Sequence, residues 1–150
     1  MNLLLFLLGV FVANAIEYCV HKYLFHGLGK KRNSIFAFHL REHHLKARRN
    51  DFVDHKVSAR EWFGIPALLL IFSPLLFVGV PVFLGLSFYG IAFIVVHNIQ
   101  HRNPEIAKKY FWWHWNHHMG NQNKSWAVVI PIMDVLTGTL KKHHFVYLIS

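Results

Sequence analysis

A chain of 150 residues is long enough for one domain, taken here as 1–150, and too short for two ordinary ones. Hydrophobic residues make up 54% and charged residues 15%, against about 25% charged in soluble domains, which excludes disorder, a coiled coil and most soluble folds. The net charge of +9 would suggest nucleic acid in a polar chain, but with this apolar content it points to a membrane protein with basic loops and no nucleic-acid partner. A single cysteine, Cys19, rules out an internal disulfide and a cysteine-rich zinc module.

Residues 2–20 form the first apolar segment, with Asn14 and Glu17 near its end. Its apolar run followed by Ala13-Asn14-Ala15 also has the form of a cleaved signal peptide. No Lys or Arg precedes that run, so it reads as a retained helix continuing into His21. Residues 22–61 hold ten of the sixteen basic residues, which the positive-inside rule places in the cytoplasm. Residues 62–101 contain no Asp, Glu, Lys or Arg, and 65–96 are almost wholly apolar. That stretch exceeds the roughly 20 helical residues of one crossing and is broken by Pro66, Pro74, Pro81 and several glycines. It predicts a hairpin of two short arms, 65–78 and 82–101, turning at Gly79-Val80-Pro81; one long tilted helix is the alternative. In the second polar segment, 102–150, residues 108–119 read as a helix, 120–123 break it, and 127–140 form a shorter apolar piece.

The chain has 13 histidines, ten of them in four clusters: His21 and His26; His39, His43 and His44; His97 and His101; His114, His117 and His118. Residues three or four apart share a helix face. On that basis His39 with His43, His97 with His101, and His114 with His117 and His118 can each chelate from one side. The adjacent pairs point about 100° apart, so one member of each can address a second ion. His21 and His26, five apart, suit a helix end near Gly27 or ligation of two different ions. A single ion uses three or four protein ligands, so ten candidates imply two ions with about five imidazoles each. Imidazole serves iron, zinc, copper and nickel alike. His55 is isolated, and His143 and His144 sit in a basic tail; all three read as surface residues. A hairpin that returns the chain to its starting face lets the four clusters meet. The fold expectation is therefore all-α: an integral membrane helical protein with a short apolar hairpin and a cytoplasmic histidine-rich dimetal site.

At these residues the chain resembles the fatty acid hydroxylase branch of the membrane fatty acid hydroxylase/sterol desaturase superfamily. The pattern His-x4-His, His-x2-His-His, His-x3-His, His-x2-His-His appears in order around the apolar hairpin. The likeness includes Glu17-Tyr18 before the first cluster and 128–139, similar to the family's closing apolar-Pro-x-x-Asp-x-x-x-Gly-Thr element, and spans about residues 14–140. The second cluster has three residues, Leu40-Arg41-Glu42, before its doublet where two are common. The resemblance implies a non-haem di-iron oxygenase that hydroxylates or desaturates a lipid, most naturally a fatty acyl chain, with O2 as co-substrate and two electrons. It implies two iron ions, with zinc possible in isolated protein, a lipid substrate from the bilayer, and a separate cytochrome- or ferredoxin-type electron donor. Carotenoid and sterol hydroxylases of the same superfamily are the alternatives.

Ligating imidazoles usually give their second N–H to a carboxylate or carbonyl. Glu17, four residues before His21 and an acid on an apolar helix, is a candidate partner; Asp134 could orient a ligand or cap a helix. Trp112, Trp113 and Trp115 read as an interfacial belt rather than a lipid path. A non-catalytic metal- or haem-binding membrane protein is the reading from another class. Bis-histidine haem needs one His on each of two facing helices, which the doublets disfavour. A metal transporter would place ionisable groups within the spans, and the apolar arms hold none before His97.

Overall fold

The computed structural model describes residues 2–54 and 59–141, so His55, His143 and His144 lie outside the described residues. Among the described residues the regular elements are all helical. They are α1 (Leu3–Cys19), α2 (Leu45–Arg49), α3 (Ala59–Ile71), α4 (Val80–Arg102), α5 (Pro104–Tyr110), α6 (Trp112–Met119) and α7 (Ile132–Leu136). Two π-helical turns, Val20–Phe25 and His39–His44, and two 3-10 turns, Leu28–Lys30 and Ser73–Phe77, complete the set.

Asn2 starts α1 by accepting the N–H groups of Leu4 and Leu5 at 3.1 and 3.4 Å, two of the donors a helix start leaves unpaired. The helix then runs without a break into the first π turn. Among the described residues, Leu3–Lys30 and Val80–Arg102 are the two helical stretches long and apolar enough to cross a membrane. Leu4, Leu8 and Phe11 on α1 and Leu84, Phe88, Ile91 and Val95 on α4 are exposed. They form apolar stripes that water would disfavour and lipid would cover.

The principal helix packing is α1 on α4, and it rests on two glycines. A Cβ on Gly9 would lie 2.0 Å from the Val82 carbonyl oxygen, and one on Gly85 would lie 2.1 Å from that of Phe6. Small residues at such crossings let backbones approach, the usual way helices associate where lipid removes the hydrophobic drive. Farther along, Asn14 donates to the Tyr89 hydroxyl at 2.7 Å and to the Ile130 carbonyl at 2.8 Å. Leu5 lies near Gly79 and Asn14 near Tyr89, so the two helices run parallel and end at the same face.

Parallel helices need a return, and the apolar stretch supplies one of a different shape from the expected arms. The first arm is α3, which runs through Pro66 to Ile71 and is followed by the 3-10 turn Ser73–Phe77; the second is α4, which starts at Val80 with Pro81 in its first turn. The single tilted helix is thereby overturned. Pro81 opens the second arm because a first-turn proline needs no intrahelical donor. The helix expected over 108–119 is two helices, α5 and α6, separated at Phe111 (φ −131°, ψ 37°). Of 127–140 only Ile132–Leu136 is helical.

Candidate metal centre

All ten clustered histidines are buried. Nine of them form two groups in which one ring nitrogen of each residue lies within 4.8 Å of the others: His21, His26, His39, His44 and His117 in the first, and His43, His97, His101 and His118 in the second. His114 stands beside the second group, its Nε2 3.0 Å from that of His118. The rings of His44 and His118 stack at 4.0 Å between centroids, 12° from parallel, and so join the two groups.

The grouping differs from the face-sharing expectation, and the π turns are the reason. In such a turn the backbone bonds from i to i+5; His26 N–H donates to the His21 carbonyl at 3.0 Å. Residues five apart then stand above one another. His21 therefore joins His26, and His39 joins His44 rather than His43, which turns to the other group. The extra residue in the second cluster is absorbed by the same device. His97 and His101, four apart on α4, share a face as expected. On α6 the doublet splits: His117 goes to the first group and His118 stays with His114.

In the first group the facing Nε2 atoms are 3.0 Å apart for His21 and His39, 3.1 Å for His39 and His44, 3.2 Å for His44 and His26, and 3.0 Å for His26 and His117. This is the spacing of neighbouring ligands around an ion at roughly 2.0–2.1 Å from each nitrogen. The second nitrogens explain why lone pairs converge. His21 Nδ1–H donates to the Trp126 carbonyl, His117 Nδ1–H to that of Lys124 at 2.8 Å, and His44 Nδ1–H to the Gln122 amide oxygen at 3.0 Å. With their protons on Nδ1, these rings present bare Nε2 atoms to one another, and a cation satisfies that arrangement. In the second group, His101 Nδ1–H donates to the Phe52 carbonyl at 2.8 Å and His114 Nδ1–H to the Gln100 side-chain oxygen. His43 Nδ1 lies 3.4 Å from the Asp54 carboxylate. The Nε2 atoms of His43 and His101 are buried without a hydrogen-bond partner, a cost of about 1–3 kcal/mol each unless something fills the role. The donor set fits two metal ions.

Burial holds His39, His44, His114, His117 and His118 well below the usual histidine range. Neutral imidazole is the form that ligates.

A short segment supports both groups. Asp134, fully buried, accepts the N–H of Trp126 at 2.9 Å and of Ala127 at 2.7 Å, and the Thr139 hydroxyl at 2.6 Å. It thereby fixes 126–128, whose Trp126 carbonyl holds His21. The Val128 carbonyl accepts from Gln100 at 3.0 Å, and Gln100 in turn holds His114. Glu17 accepts from the Tyr89 hydroxyl and from the Val128 N–H. Both carboxylates thus reach the imidazoles through backbone. Of the tryptophans, Trp113 Nε1 donates to the Val128 carbonyl at 3.3 Å, and α6 lies half-buried against the protein.

Sequence reading passed over Phe52, Asp54, Gln100 and Trp126. Phe52 is fully buried with φ 77° and stacks on His101 at 4.3 Å. A bulky residue at positive φ is strained, and here it aims a carbonyl at a candidate ligand. Only Gln100 left a trace, as a polar residue beside His101 on an apolar helix.

A cavity of about 140 Å³ lies between α1, α3 and α4. Its walls are apolar, from Ala13 and Ile16 on α1, Val20 at the start of the first π turn, Leu68 and Leu69 on α3, Phe72 just after it, and Leu86 and Phe93 on α4. It ends on His21 and His39 of the first group, His97 of the second, and His114. Glu17 and Tyr89, bonded to each other, are its other polar lining.

A family model described as fatty acid hydroxylase matches residues 6–139. Comparisons with curated proteins and with solved structures gave no match. Over nearly its whole length, with histidine groups able to hold metal at the ends of two apolar helices, the chain belongs to the fatty acid hydroxylase family.

Proposed function

We propose that the protein is a membrane-bound di-iron oxygenase that hydroxylates or desaturates a fatty acyl chain. The observation that carries this reading is the cavity: apolar along its length, it ends on imidazoles of both metal-capable groups. A carbon placed there would lie against imidazoles of both groups.

His21, His26, His39, His44 and His117 hold one iron, and His43, His97, His101 and His118 the other, with His114 beside the second. Bound iron supplies the activation of O2. The chain does the rest. Trp126, Lys124, Gln122, Phe52 and Gln100 keep protons on Nδ1 of His21, His117, His44, His101 and His114 and fix those rings. The apolar walls orient the lipid chain by shape and exclude water. Glu17 and Asp134 hold the segment 126–128 that carries His21 and, through Gln100, His114.

The described basic side chains lie in 22–49 and 102–141, which supports a cytoplasmic metal face with the N-terminus outside. A separate cytochrome- or ferredoxin-type protein supplies electrons.

Lipid analysis of cells with and without the gene tests the proposal, followed by turnover of purified protein with iron, O2 and a reductant. Oxidised acyl chains that depend on the gene are expected. An unchanged lipid profile together with inert iron-loaded protein overturns the reading; altered carotenoids or sterols with unaltered acyl chains reassign the substrate.

A further inference from the structure

Some candidate ligands line the cavity, and others are hydrogen-bonded to side chains that do not. His21, His39, His97 and His114 line the cavity. His44 and His118, the stacked pair that joins the two groups, are connected outward. The half-buried Gln122 amide oxygen accepts from His44 Nδ1 at 3.0 Å and from Arg48 Nε at 3.1 Å. Exposed Arg48 also donates to the His118 carbonyl at 2.7 Å and to that of Gly120 at 3.0 Å. The His44 ring is thus linked through Gln122, and the His118 backbone directly, to the same exposed arginine.

That spot is basic. The Lys141 ammonium lies 3.5 Å from where a Cβ on Gly120 would stand, and exposed Lys124 follows in the same loop. Two carboxylates are engaged elsewhere: Asp54 is paired with Lys46, and Asp134 is buried against backbone N–H groups. Arg48, Gln122, Lys124 and Lys141 are absent from the cavity lining, so a partner bound here leaves the lipid route free.

We propose that the surface around Gly120 docks an acidic one-electron carrier protein, and that electrons enter through His44 and His118. The inference rests on the lipid-oxidising reading, whose balance is R–H + O2 + 2 e⁻ + 2 H⁺ to R–OH + H2O. Two docked carriers, each giving up one electron, supply the reduction. Opposed charge steers such encounters and makes them salt-dependent. The carrier is favoured over an anionic lipid surface because the basic patch is hydrogen-bonded to residues of both histidine groups and none of Arg48, Gln122, Lys124 and Lys141 lines the apolar cavity.

The test uses full-length, iron-loaded protein in neutral phosphatidylcholine nanodiscs, with an acidic [2Fe–2S] ferredoxin as probe. Lys141→Glu is expected to weaken ferredoxin binding about tenfold and to flatten its salt dependence. Metal content and turnover driven by a small chemical reductant should not change. Lys124→Glu, whose backbone contact with His117 is retained, should weaken binding in the same direction. Equal affinity and equal salt dependence in wild type and both variants overturn the docking face. So does a result in which phosphatidylglycerol nanodiscs abolish ferredoxin binding to wild type and Lys141→Glu restores it, since the patch then lies on headgroups. Charge-dependent ferredoxin binding with no lipid oxidation under either reductant supports the docking face and overturns the lipid-oxidase reading.

Discussion

The two histidine groups use one ligand chemistry on two kinds of backbone. The first takes two of its pairs, His21 with His26 and His39 with His44, from π turns. The second takes His97 and His101 from an ordinary α-helical turn. A π turn is rare, costs the regular hydrogen-bond pattern and appears where function requires it. Here it brings residues five apart to one face and frees His43 for the other group. The second group instead leans on an irregular turn, with strained Phe52 and Asp54 behind His101 and His43. Both groups are held by irregular loops, the second by 52–54 and the first by hydrogen bonds from 122–126, where Ser125 has φ 58°.

The largest expected effects come from removing ligands one group at a time. His118→Ala should abolish lipid oxidation and reduce bound metal from two ions to one, and His39→Ala should do the same from the other group. Elemental analysis beside product formation separates the cases. Loss of both ions from either variant would show that the groups are not independent. One ion or fewer in fully loaded wild type would break the dinuclear reading.

Acid should act on both groups. Burial keeps His39, His44, His114, His117 and His118 far less basic in the folded protein than in the unfolded chain, where the pKa is about 6.5. Below that value the unfolded chain binds more protons, so stability rises with pH there and falls as pH drops. Each histidine contributes up to about 1.4 kcal/mol per pH unit until its folded pKa is reached. Metal release and unfolding should begin below about pH 6.5 and be absent between pH 7 and 8, as followed by metal content and tryptophan fluorescence. Retention of metal at pH 5 would argue against these ligands.

Asp134→Ala probes the support of the first group through Trp126 and His21. Loss of such an outer contact lowers metal affinity about 10–100-fold, and competition with a chelator should read that loss, with less change in the second group. Uniform loss would make 126–128 a common support, acting also through Gln100 and His114. Gly9→Val tests the platform beneath both groups. Its side chain meets the Val82 carbonyl, so a loss of about 1–3 kcal/mol is expected from forced separation of α1 and α4. Thermal denaturation in detergent measures it. The smallest effect is expected from His143→Ala, outside the described residues, which should leave most lipid oxidation intact; a loss equal to that of His118→Ala would sink the site assignment.

Helical class, the apolar stretches and the ten clustered histidines were legible in the sequence because they are matters of composition and local spacing. So was the return of the apolar stretch, since prolines and glycines punctuate a helix wherever they stand. The partition of ligands was not. Spacing arguments assume 3.6 residues per turn, and nothing local in His39-Leu40-Arg41-Glu42-His43-His44 announces an i to i+5 bond. That choice is made by which ring can meet His21 and His26 across the core. Gly85 reads as a breaker of its apolar segment, and Gly9 draws no notice, until α1 and α4 are laid together. Asp134 had two possible roles from sequence; only folding brings it beneath Trp126 and Ala127. Sequence settled which chemistry is present, because side-chain type is local. Tertiary structure decided which imidazoles share an ion-sized space and which groups hold them, because those are distances between residues far apart in the chain, as His21 and Trp126 are, 105 positions apart.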